Sequence, residues 1–211
     1  MSVGCIYTKL SWLCDIDNMG LAIVLNTMGI VQTNCFNRLG GLSDLDNAIA
    51  NYQQAVKLTI DGHPDKPGHL SNLGQSLWRR FDHFGDLSNL ENAISNHREV
   101  VELTKKGNQY KPIRLLHLGL CQEHCFLCLG EVSDLKNAIL NPQEVLKLTP
   151  NGHPDKPIHL KNLGQSLRSH FDRFGKLCDL ENATSNLQKA VEPTKEGHPY
   201  KPICLLHLCL R

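Results

Sequence analysis

Three cysteines, Cys121, Cys125 and Cys128, stand at C-x3-C-x2-C spacing inside HLGLCQEHCFLC, residues 117–128, with His124 adjacent. Thiolates at that spacing can hold an iron–sulfur cluster or zinc, provided the backbone wraps the metal as a loop. Eleven histidines are the other chemical resource, among them His63, His153 and His198 in GHPDKP-like hexapeptides, and His69, His117, His159 and His207 a few residues further on. Hydrolysis would need a nucleophile, a base and an orienting group converging on one point. Whether any of these residues can converge depends on the elements that carry them.

Composition narrows the field before those elements are placed. Twenty-two Lys and Arg against 21 Asp and Glu leave a formal charge of +1, so no global field draws the chain to nucleic acid or to an anionic membrane. Nine cysteines, an odd number scattered without regular spacing, do not make a disulfide framework. The opening MSVGCIYTKLSWLCDID is interrupted by Lys9, and LAIVLNTMGIV at 21–31 is broken by Asn26 and Thr27, so neither reads as a secretory signal or a membrane span. The expectation is a reducing, cytoplasmic setting with no membrane partner.

The chain repeats itself at 45 residues. Gly29, Gly74, Gly119 and Gly164 form one column; Phe36, Phe81, Phe126 and Phe171 a second; Gly40, Gly85, Gly130 and Gly175 a third; Ala48, Ala93, Ala138 and Ala183 a fourth. Residues 61–120 match 151–210 better than neighbouring units match one another, which points to a duplicated two-repeat block. Such periodicity means stacked supersecondary units, none able to bury its apolar face alone. The implied boundaries are an irregular or partial unit over 1–24, repeats over 25–69, 70–114, 115–159 and 160–204, and the start of a fifth over 205–211.

Within a unit the apolar spacing is helical. Leu70, Leu73, Gly74, Leu77, Phe81 and Phe84 make one stripe, Gly85 stops it, and Leu87, Leu90, Ala93, Ile94, Val100 and Leu103 make the next. Ser88-Asn89-Leu90-Glu91 reads as a capping box opening the second helix. Each unit is therefore a hairpin of helices A and B, with no strand signal.

GHPDKP then reads as the corner between units. Gly62 tolerates the positive φ that ends helix B, Pro64 forbids continuation, Asp65 can cap the next helix, and Pro67 fits its first turn. His63-Pro64-Asp65 is also the tripeptide that marks J-domain cochaperones of Hsp70. There it occurs once, after a basic helix; here GHPDKP recurs at 152–157 and becomes GHPYKP at 197–202, with Tyr200 replacing the Asp. Geometry is the better account.

The same register answers the chemistry. Cys125 aligns with Arg80 and His170, and Cys128 with His83 and Arg173, on what reads as helix A of the third unit. Metal-wrapping loops are not helices, so drift at exposed positions accounts for the cysteines. Repetition also sets the histidines on separate units, which prevents convergence. No cofactor, metal or catalytic function is expected.

Leu73-Gly74, Ala93 and Val100, with Leu163-Gly164, Ala183 and Ala190, resemble the tetratricopeptide repeat, whose usual closing proline appears only as Pro150. That family's unit is about 34 residues, so helix A, its turn and the corner here carry extra length. NLGxxLxxxFxxFGxLxxLENA followed by GHPDKP is similar to the long tetratricopeptide-like arrays of mushroom-forming fungi, often joined to a caspase-like CHAT domain that is not evident in this sequence. HEAT and armadillo repeats share the period range but leave the Leu-Gly and Ala columns unexplained.

The resemblance implies an all-α fold, an α-solenoid of four 45-residue hairpins in a right-handed superhelix, whose concave wall receives a protein or peptide partner. Mapped from the Leu-Gly column, that wall would carry Thr33, Asn34, Gln75, Trp78, Arg79, Glu123, His124, Lys161, Gln165, Arg168 and Ser169. Trp78 is the leading residue, since aromatic and Arg side chains dominate interface hot spots; packing between neighbouring helices is its alternative use.

Some positions read as damage. Pro142 falls mid-helix B, where a kink or break is expected; Gln32 and Gln122 replace the stripe residues Leu77 and Leu167; Pro193 interrupts the column of Leu58, Leu103 and Leu148. Units 1 and 3 should be the weaker ones. With no polar terminal helix evident after LLHLCLR, marginal stability and self-association through bare array ends are expected.

Overall fold

The computed structural model describes residues 17–191, and among these the secondary structure is entirely helical. Eight helices follow in order: α1 Asn18–Leu39, α2 Leu42–Leu58, α3 Lys66–Phe84, α4 Leu87–Leu103, α5 Lys111–Leu129, α6 Val132–Leu148, α7 Lys156–Phe174 and α8 Leu177–Val191. Helix α1 opens at Asn18, capped by Asp17 through Gly20 N–H at 2.7 Å, inside the stretch read as an irregular or partial unit. Residues 1–16, and the 192–211 stretch with Pro193, Tyr200 and the start of the fifth unit, lie outside the described residues. The chain forms two compact units, one ending at Ser76 and one beginning at Leu77.

Hairpin tips follow from the Phe and Gly columns acting together. Gly40, Gly85, Gly130 and Gly175 all have φ near +70°, and their N–H groups donate to the carbonyls of Phe36, Phe81, Phe126 and Phe171 at 2.7–2.8 Å. Only glycine takes that left-handed turn at little cost, and the bond satisfies a carbonyl the helix end would otherwise leave open. The next helix starts two residues earlier than the capping box implies. Asp86, not Ser88, caps α4: its carboxylate accepts from Ser88 N–H at 3.0 Å and from the Asn89 side chain at 2.9 Å.

The other glycine column sets how closely A and B approach. A Cβ on Gly29 would sit 2.5 Å from the Tyr52 ring, one on Gly164 2.8 Å from Leu187 Cγ, and one on Gly119 3.2 Å from Pro142 Cδ. The residue at the Tyr52, Pro142 and Leu187 position thus lies directly on the facing helix backbone. Pro142 neither ends nor breaks α6, which runs through it from Val132 to Leu148 with the ring buried.

Fully buried Leu45, Ala48, Leu90, Ala93, Leu135, Ala138 and Ala183 form the interior of the hairpins. In the unit beginning at Leu77, a B helix also serves the hairpin after it. Ile139 and Leu146 of α6 pack on the cluster of Leu163, Leu167 and Ala183, and Val101 of α4 packs on Leu115, Leu116 and Val145. Burial at about 25 cal/mol per Å² of apolar surface is then shared across hairpins. Phe84 and Leu103, both assigned to apolar stripes, lie at helix ends and are exposed.

At the corners, threonine rather than glycine terminates helix B. Thr59, Thr104 and Thr149 are extended and buried, and their hydroxyls donate to the carbonyls of Ala55, Val100 and Val145. Gly62, Gly107 and Gly152 follow three residues later with φ of 81°, 89° and 84°. The corner lysines reach back: Lys66 Nζ donates to the carbonyls of Val56 and Thr59, Lys111 Nζ to those of Val101 and Thr104, and Lys156 Nζ to that of Thr149 at 3.1 Å. A cation on the last carbonyls of a helix is favoured by both hydrogen bonding and the helix dipole. Asp155 sits at the cap position of α7 without a side-chain capping bond; its own N–H instead donates to His153 Nδ1, as Asp65 N–H does to His63 Nδ1, both at 3.2 Å.

Candidate partner-binding surface

The wall residues divide by compact unit. In the first, Thr33 shares a hydrogen bond with the Tyr52 hydroxyl at 3.2 Å, Asn34 is exposed, and Gln75 donates to Ser71 Oγ at 3.4 Å on its own helix. In the second, Trp78 and His124 are brought into contact. The Trp78 ring meets the His124 ring edge-on at 5.7 Å, Phe81 meets the same imidazole at 6.5 Å, and His124 Nδ1 lies 2.8 Å from Leu120 O. Trp78 Nε1 is buried and has no hydrogen-bond partner.

Glu123 and Lys161 are buried rather than wall-lining, at 8% and 9% exposure. Burial pushes the Glu123 carboxyl above its ordinary range, against the pull of His124, Lys161 and a hydrogen bond from Ser166. An acid and a base facing each other in such surroundings stabilise each other chiefly against the cost of desolvation. Arg79, Gln165, Arg168 and Ser169 are half-buried. The side chains assigned to the wall are therefore also, in part, the joints between successive A helices of this unit.

The cysteine motif lies along α5, and two of its thiols are not at exposed positions. Cys121 and Cys125 are buried and Cys128 is exposed. Burial pushes both buried thiols up to about 12, with Cys125 adding to the shift at Cys121, and Asp134, Glu91 and Cys128 adding to that at Cys125. Protonated thiols are poor metal ligands, and no group of three or more His, Cys, Asp or Glu among the described residues could hold a metal ion.

A pairing that the sequence reading missed accounts for Cys125. At the same register position, Arg80 Nη1 donates to Asn89 Oδ1 at 3.4 Å, and His170 Nδ1 lies 2.7 Å from Asp179 Oδ2. Cys125 faces Asp134 in the same way. The position joins the end of helix A to the start of helix B; the signal was a Cys, Arg or His nine positions ahead of an Asn or Asp in each unit.

Among the described histidines, His97 and His117 are the pair whose rings meet. His97 and His117 lie with ring centroids 5.5 Å apart, each with Nδ1 buried and unpartnered. Burial takes His97 down to about 3 and lowers His117 as well. At the corners His69 Nδ1 meets Thr59 Oγ1 at 2.9 Å, and Arg114 fills the equivalent place on Thr104, whereas His159 Nδ1 is buried without a partner. A surface cleft of about 400 Å³ runs between two corners, lined by Lys111, Ile113, Pro150, His153, Asp155 and His159 among others.

No protein-family model matches this sequence, and no curated protein matches it.

Proposed function

We propose that the chain is a non-catalytic scaffold, a tetratricopeptide-like α-solenoid of the kind found in long fungal arrays, acting in the cytoplasm by presenting a helix-lined groove to a protein or peptide. The observation that carries this reading is the edge-on packing of Trp78 on His124 between successive A helices, together with the half-buried Arg79 on α3 and Arg168 and Ser169 on α7. Such a surface is ordered by its own packing, so a partner meets side chains whose entropy is already lost.

The test is affinity capture, read by mass spectrometry, with the wild-type chain, Arg79→Ala, Arg168→Ala and Trp78→Ala. The arginine variants leave the packed pair intact and should lose specific partners; a set of captured proteins identical across all four chains would end the reading. A metal or redox protein built on residues 121–128 would instead show stoichiometric iron or zinc, and a J-domain-like cochaperone would raise Hsp70 ATPase in a manner sensitive to His63→Gln. The buried, protonated thiols and the purely local bonds of the His63 corner favour neither.

A further inference from the structure

The cleft of about 400 Å³ between the corners at 104–111 and 149–156 is built from unlike groups. Ile113 in the first turn of α5, Leu148 at the end of α6 and Pro150 give it apolar walls, while Lys111, Asp155 and His159 supply polar groups. That size and mixture belong to small-molecule sites, which set a few polar groups among apolar ones. None of the residues assigned to the concave wall lines the cleft, so a site here is independent of the scaffold reading.

The polar groups of the cleft are incompletely partnered. Lys111 Nζ donates to the carbonyls of Val101 and Thr104, two of the three bonds an ammonium can make, and no carboxylate among the described residues lies within ion-pair distance of it. Its siblings are better supplied. Lys66 pairs with Asp61 Oδ1 at 3.3 Å and Lys156 donates to Asn151 Oδ1 at 2.7 Å, but at that position before Lys111 stands Lys106. Glu144, whose charge acts on Lys111, is already paired with Lys147 at 3.4 Å. The Asp155 carboxylate makes no capping bond and lies 3.9 Å from His153 Nδ1. His159 is 5% exposed with Nδ1 unpartnered, whereas His69 and Arg114 at the same position bond the corner threonine. Burial holds its imidazole below the ordinary histidine range, so it is neutral at pH 7 and has both a donor and an acceptor nitrogen.

We propose that this cleft binds a small zwitterion with an apolar side chain, of the class of leucine and its short peptides, with the ligand carboxylate on Lys111, the ammonium on Asp155 and the side chain against Ile113, Leu148 and Pro150. An anion alone would face Asp155, and a cation alone would face Lys111; opposite charges on one ligand suit both. A ligand so placed also gives the His159 imidazole a polar neighbour.

NMR titration of the methyl-labelled full chain with L-leucine, N-acetyl-L-leucine and L-leucinamide tests this. L-leucine should shift the Ile113 and Leu148 methyl resonances saturably, and each blocked form, which keeps one charge, should bind at least about tenfold more weakly. Lys106→Asp, which supplies the acid found at Asp61 and gives Lys111 a partner of its own, should weaken leucine binding by a similar factor with an unchanged circular dichroism spectrum. Asp155→Asn, which breaks no capping bond, gives the same readout should that variant fold poorly. Leucyl-leucine separates the two sources: binding tighter than leucine assigns the cleft to short peptides, and weaker binding assigns it to the free amino acid. No saturable shift with either zwitterion, blocked forms that bind as tightly as leucine, or variants that bind as well as the wild type would overturn the proposal.

Discussion

Asn141 Nδ2 donates to Gln122 Oε1 at 2.7 Å, and Asn51 Nδ2 donates to Gln32 Oε1 at the same distance, so the two polar intrusions into the apolar stripe are cross-hairpin hydrogen bonds. Where the stripe keeps Leu77 and Leu167, the corresponding Asn96 and Asn186 donate to carbonyls of their own helix, those of Asn92 and Asn182. The repeat therefore alternates two solutions, and the Gln units are not simply damaged copies of the Leu units.

An asymmetry between two substitutions follows from this pair. Asn141→Ala leaves Gln122, which is 2% exposed, buried without its donor, and should cost about 1–3 kcal/mol. Gln122→Leu installs the sibling residue and frees a half-buried Asn141 to bond within its own helix, so it should cost under about 1 kcal/mol. Urea unfolding of both variants decides the matter; equal losses would mean that the alternation carries no energetic meaning.

Pro142 makes a second case. It lies over Gly119 as Leu187 lies over Gly164, so the site accepts an apolar side chain, and an interior proline costs about 3 kcal/mol through its missing N–H and ring clash. Pro142→Leu should raise the melting temperature. Gly164→Ala should lower it, because the added Cβ would meet Leu187 Cγ at 2.8 Å and overpacking costs about 1–3 kcal/mol.

The hairpins were legible in the sequence because both determinants are local and periodic: Gly85 and its sibling glycines mark the tips, and Leu90 and Ala93 mark the buried side of α4. Corner chemistry was legible only in part. Pro64 and Gly62 signalled a turn, but the stop at Thr59 depends on a hydroxyl folding back on Ala55, and the Lys66 bonds depend on a chain reversal that no spacing reveals. The wall was the least legible element. Glu123 and Lys161 look like solvent-facing residues in a one-dimensional register, and only the approach of α7 to α5 makes them partners.

Thiol reactivity should separate the cysteines sharply. With thiols pushed up to about 12, Cys121 and Cys125 carry very little thiolate at pH 8 and are also shielded, whereas Cys128 and Cys178 are exposed. Brief alkylation of native protein, followed by peptide mass spectrometry, should label Cys128 and Cys178 and spare the other two. In the same frame Cys125→His, which copies His170 opposite Asp179, should be tolerated, with the imidazole bonded to Asp134.

Acid should weaken the unit beginning at Leu77 through His97 and His117. Both are held below the ordinary histidine range in the folded chain by burial, and the unfolded chain takes up its protons near 6.5, so stability present above that pH is lost as pH falls below it, for His97 down to about 3. Each proton adds a slope of up to about 1.4 kcal/mol per pH unit in that window. Glu123 acts in the opposite sense: its raised carboxyl favours the folded state below the ordinary Glu value, and that contribution fades as pH rises through the folded value. Unfolding midpoints between neutrality and pH 4 should therefore fall for the wild type and fall less for His97→Leu, which removes the more deeply buried imidazole and places over helix A the residue found at Leu187. Parallel pH profiles for the two chains would show that the pair is not the acid-sensitive element, and would assign acid lability to carboxylates such as the helix-capping Asp86, held low chiefly by its Ser88 hydrogen bonds.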